Sequence, residues 1–412
     1  MVPNGWERKP LEKVAEIRTG VAKGKKGLKD PIEVPYLRVA NVQDGHIDLS
    51  EVKTIKIERH QLERYSLQVG DVLMTEGGDF DKLGRGDVWQ GQITPCLNQN
   101  HVFAVRPNNQ ILLPYFLAAL SGSNYGKTYF LSCAKRSTNL ASINSTQLKE
   151  FPVLLPPLPE QRKISQILST WDRAIATTEK LIETSKQQKK ALMQQLLTGK
   201  RRLVNPETGK AFDGEWEHGF LGDLCSFKGG SAFKEVYQGQ TSGDYPFIKV
   251  SDMNLPKNGK FILQANNWVT EEVAKAIKAK SFSEGSIVFA KVGAALLLNR
   301  RRILVQPTIV DNNMMAATPK NCCFTEFLYQ LMLMIDFAKF VQDGAVPSVN
   351  QSDLSRFKIS YPSIEEQQKI ASVLTASDKE IEVLEAKLAH FKQEKKALMQ
   401  QLLTGKRRVT LE

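Results

Sequence analysis

The sequence predicts an α+β chain: two similar globular α/β-type domains, each followed by a long helix, with the two helices pairing as an antiparallel coiled coil. Three observations predict it. KKALMQQLLTGKRR at residues 189–202 recurs letter for letter at 395–408. The residues upstream also correspond without a gap, PEQRKISQILSTWDRAI (159–175) lying over EEQQKIASVLTASDKEI (365–381). The region before each of these stretches repeats a looser framework. An identical run this long within one chain assigns the same structural job to both copies.

The period of the repeated stretches gives that job. In the first copy a three-four seam passes through Ile164, Leu168, Trp171, Ile175, Thr178, Ile182, Ser185, Lys189, Leu192 and Leu196. In the second it passes through Ile370, Leu374, Ser377, Ile381, Leu384, Leu388, Phe391, Lys395, Leu398 and Leu402. A heptad seam sustained this far is the signature of a coiled coil. Pro159 and Glu160 suit a first helical turn, which needs no amide donor and favours negative charge. Ser363 and Glu366 have the form of a capping box. Gly199 and Gly405 stop the helices, followed by Lys200, Arg201 and Arg202 and by Lys406, Arg407 and Arg408, where the helix dipole favours cations. Those cations could equally touch phosphates. Each helix of ~38 residues would extend roughly 57 Å. An amphipathic rod of that length needs a partner for its seam, and the other copy is the nearest.

The globules read as follows. PYLRVANV (35–42), GDVLMT (70–75), VWQGQI (88–93) and HVFAVRP (101–107) have strand composition, and LLPYFLAALSGS (112–123) has helical spacing. A polar loop, KRSTNLASINSTQ (135–147), leads to the strand FPVLLPP and the first helix. The pattern then restarts. WERKPLEKVAEIRTG (6–20) lies over WEHGFLGDLCSFKGG (216–230), and PYLRVANV over PFIKVSDM (246–253). Residues 70–89 lie ungapped over 285–304, which sets Gly78 on Gly293 and Arg85 on Arg300. SINSTQLKEFPVLLP (142–156) lies over SVNQSDLSRFKISYP (348–362). The expected domains are therefore a globule at 1–157, a helix at 158–199, a linker at 200–213, a globule at 214–362, a helix at 363–405 and a basic tail at 406–412. Each globule feeds the N-terminal end of its own helix, so antiparallel pairing lets a short linker connect helix to globule and gives the molecule an internal pseudo-twofold axis. Near-identical helices carrying divergent globules suggest two sites of different specificity.

A chain of 412 residues exceeds one core. The net charge of +12 and pI near 9.3 suit a polyanion or an acidic subunit, although a basic protein without either has the same balance. Cys96, Cys133, Cys225, Cys322 and Cys323 are odd in number and form no CxxC pair, which reads as reduced thiols and neither a zinc site nor a disulfide frame. No apolar run approaches the ~18 residues of a membrane span, and MVPNGWERKP does not resemble a signal peptide. A cytoplasmic protein without a membrane partner is expected.

Candidate catalytic and cofactor motifs fail on context. SGSNYGKT (121–128) resembles a phosphate-binding loop but has a residue too few between its glycines and follows a helix, so a polar loop is expected there. GGDFDKLGRG (77–86) is acidic enough for calcium, yet its counterpart keeps none of the carboxylates. His46, His60, His101, His218 and His390 have no ligand or triad spacing. No adenine-methyltransferase, nuclease or helicase motif is present, so no catalytic, cofactor or metal residue is assigned. Basic loops remain as candidate DNA contacts. TGVAKGKKGLKD (19–30) offers Lys23, Lys25, Lys26 and Lys29, and the turn between matched strands offers Lys82 and Arg85 in the first globule. The second globule offers Lys291, Asn299, Arg300, Arg301 and Arg302. Glycines let a loop approach a duplex, and arginine pairs bidentately with guanine or phosphate.

Two divergent globules, each followed by a helix ending in LLTGKRR, resemble the specificity subunit of type I restriction-modification enzymes. TEGGDFDKLGRG and STNLASIN also resemble that family's target-recognition domains. The resemblance implies that each globule recognises half of a bipartite double-stranded DNA sequence while the helices set the spacer. It further implies docking of two modification subunits, which bring S-adenosylmethionine and methylate adenine, and of restriction subunits that use ATP and Mg for translocation and cleavage. This chain would then be a non-catalytic recognition subunit without a cofactor of its own. The other reading from the residues is a coiled-coil adaptor whose globules bind proteins; loop arginines and basic charge argue against it.

Overall fold

The computed structural model describes residues 2–23, 27–80, 83–138, 140–341 and 347–411. The chain divides into two compact units, residues 1–180 with 386–412 and residues 181–385. The division cuts both long helices, Leu158–Leu196 and Ile364–Leu402, so each unit holds a globule and one half of each helix. Neither helix forms a separate body.

In the first unit the central sheet places Ala15–Thr19, Val102–Pro107, Val72–Thr75 and Gly86–Val88 side by side in antiparallel pairing. Both faces of Val72–Thr75 are buried, which explains its unbroken apolar run. Pro114–Gly122 packs its Phe116, Leu117 and Leu120 into the core beneath this sheet. A second sheet pairs Pro31–Leu37 with Lys53–Glu58 and, in parallel, with Leu97–Asn98.

Several sequence expectations shift, and the polar loop expected over 135–147 holds the strands Lys135–Arg136 and Ala141–Ser142 and the start of the helix Ser145–Lys149. The strand expected over 35–42 runs Pro31–Leu37 and gives way to a tight turn, because the Asn41 side chain accepts from Arg38 N (2.9 Å) and donates to the Asp48 and Glu51 carbonyls. The strand expected over 88–93 ends at Val88, where Trp89 drops into a core. The polar loop expected over 121–128 is mostly helix: Ser123 caps Asn124–Cys133, and Gly126 lets that helix press against the Ser121 carbonyl.

The second unit repeats this plan. Its sheet sets Cys225–Gly229, Met314–Pro319, Ile287–Ala290 and Arg302–Leu304 in the corresponding order, with Phe261–Ile262 added at the edge. Tyr245–Ile248 pairs in parallel with Ile309–Val310, matching the parallel pair of the first unit.

Within each unit the two helix halves run antiparallel. In the first, Asp172 meets Lys395, Glu179 meets Lys392 at 2.7 Å and Glu160 meets Arg408 at 2.7 Å. In the second, Asp378 meets Lys189, Glu385 meets Lys186 at 2.6 Å and Glu366 meets Arg202 at 2.6 Å. Partner numbers fall as the others rise, and each of these three ion pairs has its repeat-equivalent in the other unit. All twenty seam residues are buried or half-buried, whereas Leu181 and Val383, off the seam, are exposed. Trp171 and Phe391 close the seam edge-on, with ring centres 5.5 Å apart.

The helix starts are held by a buried Glu-Gln pair. Gln161 accepts from Leu113 N (2.9 Å) and donates to the Ile111 and Pro156 carbonyls; Gln367 accepts from Phe324 N (3.0 Å) and donates to those of Cys322 and Pro362. Beside them, Arg408 forks onto both oxygens of Glu160 and Arg202 onto both of Glu366. Each fork's remaining nitrogen reaches a backbone carbonyl, of Asn4 and of Gly214. Glu366 therefore serves this clamp, and does not complete the expected capping box with Ser363. Gly199 and Gly405 end the paired halves at φ +70° and +66°. A Cβ on Gly405 would come within 2.4 Å of the Pro3 ring, so the chain turns there with Pro3 and Trp6 packed against it.

Candidate nucleic-acid interface

One hairpin recurs in both globules. Val72 pairs with Val88 and Met74 with Gly86 in the first unit, and Ile287 with Ile303 and Val288 with Arg302 in the second. This pairing superposes Val72 on Ile287 and Val88 on Ile303, so Arg85 and Arg300 occupy equivalent turn positions, as the ungapped alignment expects. Arg85 is half-buried, and its Nε has no hydrogen-bond partner. Arg300 is exposed, and its guanidinium donates to Asn254 Oδ1.

The other candidates separate by burial. Lys23 is exposed with its Nζ 5.8 Å from the centre of the Tyr36 ring, and Lys29 is exposed. Lys25, Lys26 and Lys82 lie outside the described residues. Lys291 is half-buried, its Nζ close enough to Gly229 that a Cβ there would sit at 3.0 Å.

Arg301 and Arg302 are corrected to structural roles. Arg301 is 1% exposed. Its guanidinium carbon lies 3.8 Å from the centre of the Phe337 ring, and it donates to the Ile335 carbonyl at 2.7 Å and to Asn299. Burial pulls its pKa down to about 10, opposed by Asp336 and Tyr329, so it stays charged at neutral pH. Asn299, at φ +51°, completes the lock by donating to Asp336 at 2.7 Å and accepting from Phe337 N at 2.9 Å. Arg302 spends its guanidinium on the carbonyls of Asn258, Arg301 and Met253, and burial lowers its pKa. Only Arg302 lies in the strand; Arg300 and Arg301 precede it in the turn, and their different burial keeps the three arginines from facing one ligand. The second arginine of each KRR triplet, Arg202 and Arg408, is likewise engaged, leaving Lys200, Arg201, Lys406 and Arg407 exposed.

The structure also joins segments far apart in sequence. Gly77–Gly78 pairs with Ala141–Ser142, which pairs with Lys135–Arg136. TEGGDFDKLGRG and STNLASIN therefore lie side by side. In the second unit the bridge between Val292 and Ser348 occupies the same place. Lys135 and Arg136 belong to this cluster and were not singled out by sequence reasoning; the signal available was their place at the head of STNLASIN. Among the described residues no group of histidines, cysteines and carboxylates could hold a metal ion, and no helix is long and apolar enough to cross a membrane.

Each unit has a groove where the repeated helix end meets the globule. The first, of about 620 Å³, is lined by Arg8, Tyr125, Tyr129, Thr404 and Lys406. The second, of about 660 Å³, is more apolar, with Phe220, Met334, Phe340, Phe357 and Thr198.

The model of the type I restriction modification DNA specificity domain matches the chain twice, over residues 3–187 and 213–393. The chain belongs to this family. Its relatives include the putative type I restriction enzyme MjaX specificity subunit of Methanocaldococcus jannaschii, 30% identical and aligned over 99% of this chain and 95% of that protein. The MjaVIII specificity subunit of the same organism is 26% identical, over 91% and 86%. Among solved structures, the HsdS subunit from Thermoanaerobacter tengcongensis shares the fold with a TM-score of 0.51 at 17% identity, over 98% of each chain. A chain from a structure of complex assembly and conformational transition in the type I R-M system gives 0.62 at 17% identity, over 99% of this chain and 100% of that one. Both matches of the family model begin in a globule and run into the long helix that follows it, so the family's unit is the globule with its helix.

Proposed function

We propose that this chain is the specificity subunit of a type I restriction-modification complex, in which each globule recognises one half of a bipartite duplex sequence. The observation that carries the reading is the double match of the specificity-domain family, one copy per globule. Equivalent turn arginines on divergent globules agree with two half-sites of different sequence. The paired helices set the spacer between the half-sites. The chain itself is non-catalytic. Methylation belongs to two modification subunits carrying S-adenosylmethionine, and translocation and cleavage to restriction subunits using ATP and Mg. Support for two copies of one partner comes from the repeated stretch. Lys190, Gln194, Gln195, Lys200 and Arg201 are exposed and identical to Lys396, Gln400, Gln401, Lys406 and Arg407, also exposed. Internal packing does not require identity at exposed positions, whereas one partner surface read twice does.

The test is domain exchange read by binding selection from a randomised duplex library. Replacing residues 1–157 with the same region of a relative changes one half of the selected sequence and leaves the other half and the spacer unchanged. A change in both halves, or selection of no duplex by the parent chain, overturns the reading.

A further inference from the structure

Lys135–Arg136, Ala141–Ser142 and Gly77–Gly78 form a three-stranded ribbon in that order. The glycines permit the close pairing: a Cβ on Gly77 would lie 3.0 Å from the Ala141 carbonyl oxygen and 3.2 Å from the Ser142 side chain. The turn of the ribbon is closed by Ser137 N–H donating to the Leu140 carbonyl at 2.8 Å. Its outer pair, Lys135–Arg136 with Ala141–Ser142, is a two-stranded antiparallel ribbon, an element that a B-DNA major groove admits.

The ribbon carries an unusual surface. Lys135 and Arg136 are exposed, and so are two large apolar side chains, Phe80 at 38% and Leu140 at 55%. The Arg136 guanidinium carbon lies 5.9 Å from the centre of the Phe80 ring, and one of its terminal nitrogens donates to the Leu131 carbonyl at 2.7 Å. Its remaining N–H groups have no partner among the described residues. A guanidinium held by a carbonyl and an aromatic face has less freedom to lose on binding, and it keeps free donors for a planar acceptor pair.

We propose that this ribbon is the base-reading element of the first globule, with Arg136 donating to O6 and N7 of one guanine in the major groove and Phe80 positioning its guanidinium. The proposal rests on the DNA-recognition reading above and assigns its first half-site to particular side chains. Arg85, at the end of the same hairpin, is half-buried and less able to reach a base edge.

The test uses the full chain, the duplex it selects from a randomised library, and the same duplex with single guanines replaced by 7-deazaguanine, which lacks the N7 acceptor. One replacement in one half-site weakens wild-type binding and has no effect on Arg136→Ala. Arg136→Ala binds the selected duplex roughly 5- to 150-fold more weakly, the range of one bidentate base contact, and loses the preference for that guanine alone. Arg136→Lys keeps the salt dependence and loses the guanine preference. Phe80→Ala shrinks the 7-deazaguanine effect, and Phe80→Tyr, which keeps the ring face, restores it. If Arg136→Ala weakens every duplex equally and lowers the salt slope by about one, the residue touches phosphate and the assignment is overturned. Unchanged affinity and preference, or no 7-deazaguanine position that distinguishes wild type from Arg136→Ala, also overturns it. If the wild-type chain selects no duplex, the DNA-recognition reading itself fails, which separates the two failures.

Discussion

Arg300, Arg301 and Arg302 are consecutive yet differ in every respect that matters for binding. Arg300 is exposed on the turn, Arg301 is buried against Phe337, and Arg302 holds three backbone carbonyls. Arg300→Ala is expected to weaken duplex binding by ~1–3 kcal/mol if it reads a base and to leave the denaturation midpoint unchanged. Arg301→Ala should lower that midpoint, because it removes the anchor joining Asn299 to residues 335–337. The clamps make a second contrast. Arg202→Ala leaves the Glu366 carboxylate buried without its counter-charge and should cost about 3 kcal/mol, while Arg201→Ala, on an exposed side chain, should change stability by less than about 0.5 kcal/mol. Equal effects of the two in chemical denaturation would contradict the clamp. The cysteines give a third. Burial pushes the thiols of Cys96 and Cys225 up to about 12 and raises that of Cys323, whereas Cys322 is exposed. Alkylation needs the thiolate. Iodoacetamide at pH 8 should therefore modify Cys322 first and reach the other three only on unfolding, as peptide mass mapping would register.

At the scale of elements, the long helices owe their stability to the seam and to the docking of their first turns. Leu374 is fully buried on the seam and Leu181 is half-exposed off it. Leu374→Ala should cost about 3 kcal/mol through lost burial and the cavity left behind, and Leu181→Ala little. Comparable losses from both, measured by denaturant melts, would mean that the seam is misassigned. The period of the helices was legible because their apolar residues recur over many turns. The short strands were less so: Pro31–Leu37 and Gly86–Val88 end where side-chain hydrogen bonds and a buried tryptophan intervene, and neither leaves a periodic trace. The helix over Asn124–Cys133 was hidden by its polar opening, which serves as a cap.

For the whole molecule, the repeat is the governing fact, since the same interhelical ion pairs recur in both units with their partners exchanged between helix copies. If the paired helices set the DNA spacer, one heptad added to both, after Ile182 and after Leu388, lengthens each by about 10.5 Å and keeps the seam in register. The spacer preferred in binding selection should grow by roughly three base pairs at ~3.4 Å each. Affinity should fall as well, because three base pairs turn the duplex by about 100°. A heptad in one helix alone should be worse, since it slips the pairing. Retention of the original spacer by a folded double insertion would show that the helices do not measure it.

The sequence by itself determined the duplication, the two long helices with their seam and stops, and the equivalence of Arg85 with Arg300. These are written in local period and in identity between copies, which survive without knowledge of tertiary contacts. Only the tertiary structure decided which charges are free. In the linear chain Glu160 reads as a first-turn charge, Glu366 as half of a capping box, Arg202 and Arg408 as cations facing the helix dipole or phosphates, and Arg301 and Arg302 as DNA contacts. Their partners lie up to 248 residues away, or are backbone carbonyls that carry no sequence signal. The same reason hid Lys135 and Arg136, which join the Gly77–Gly78 strand only because an intervening strand, Ala141–Ser142, pairs with both. Whether a charge is solvated or buried depends on what folds over it, and that is settled by packing between distant segments.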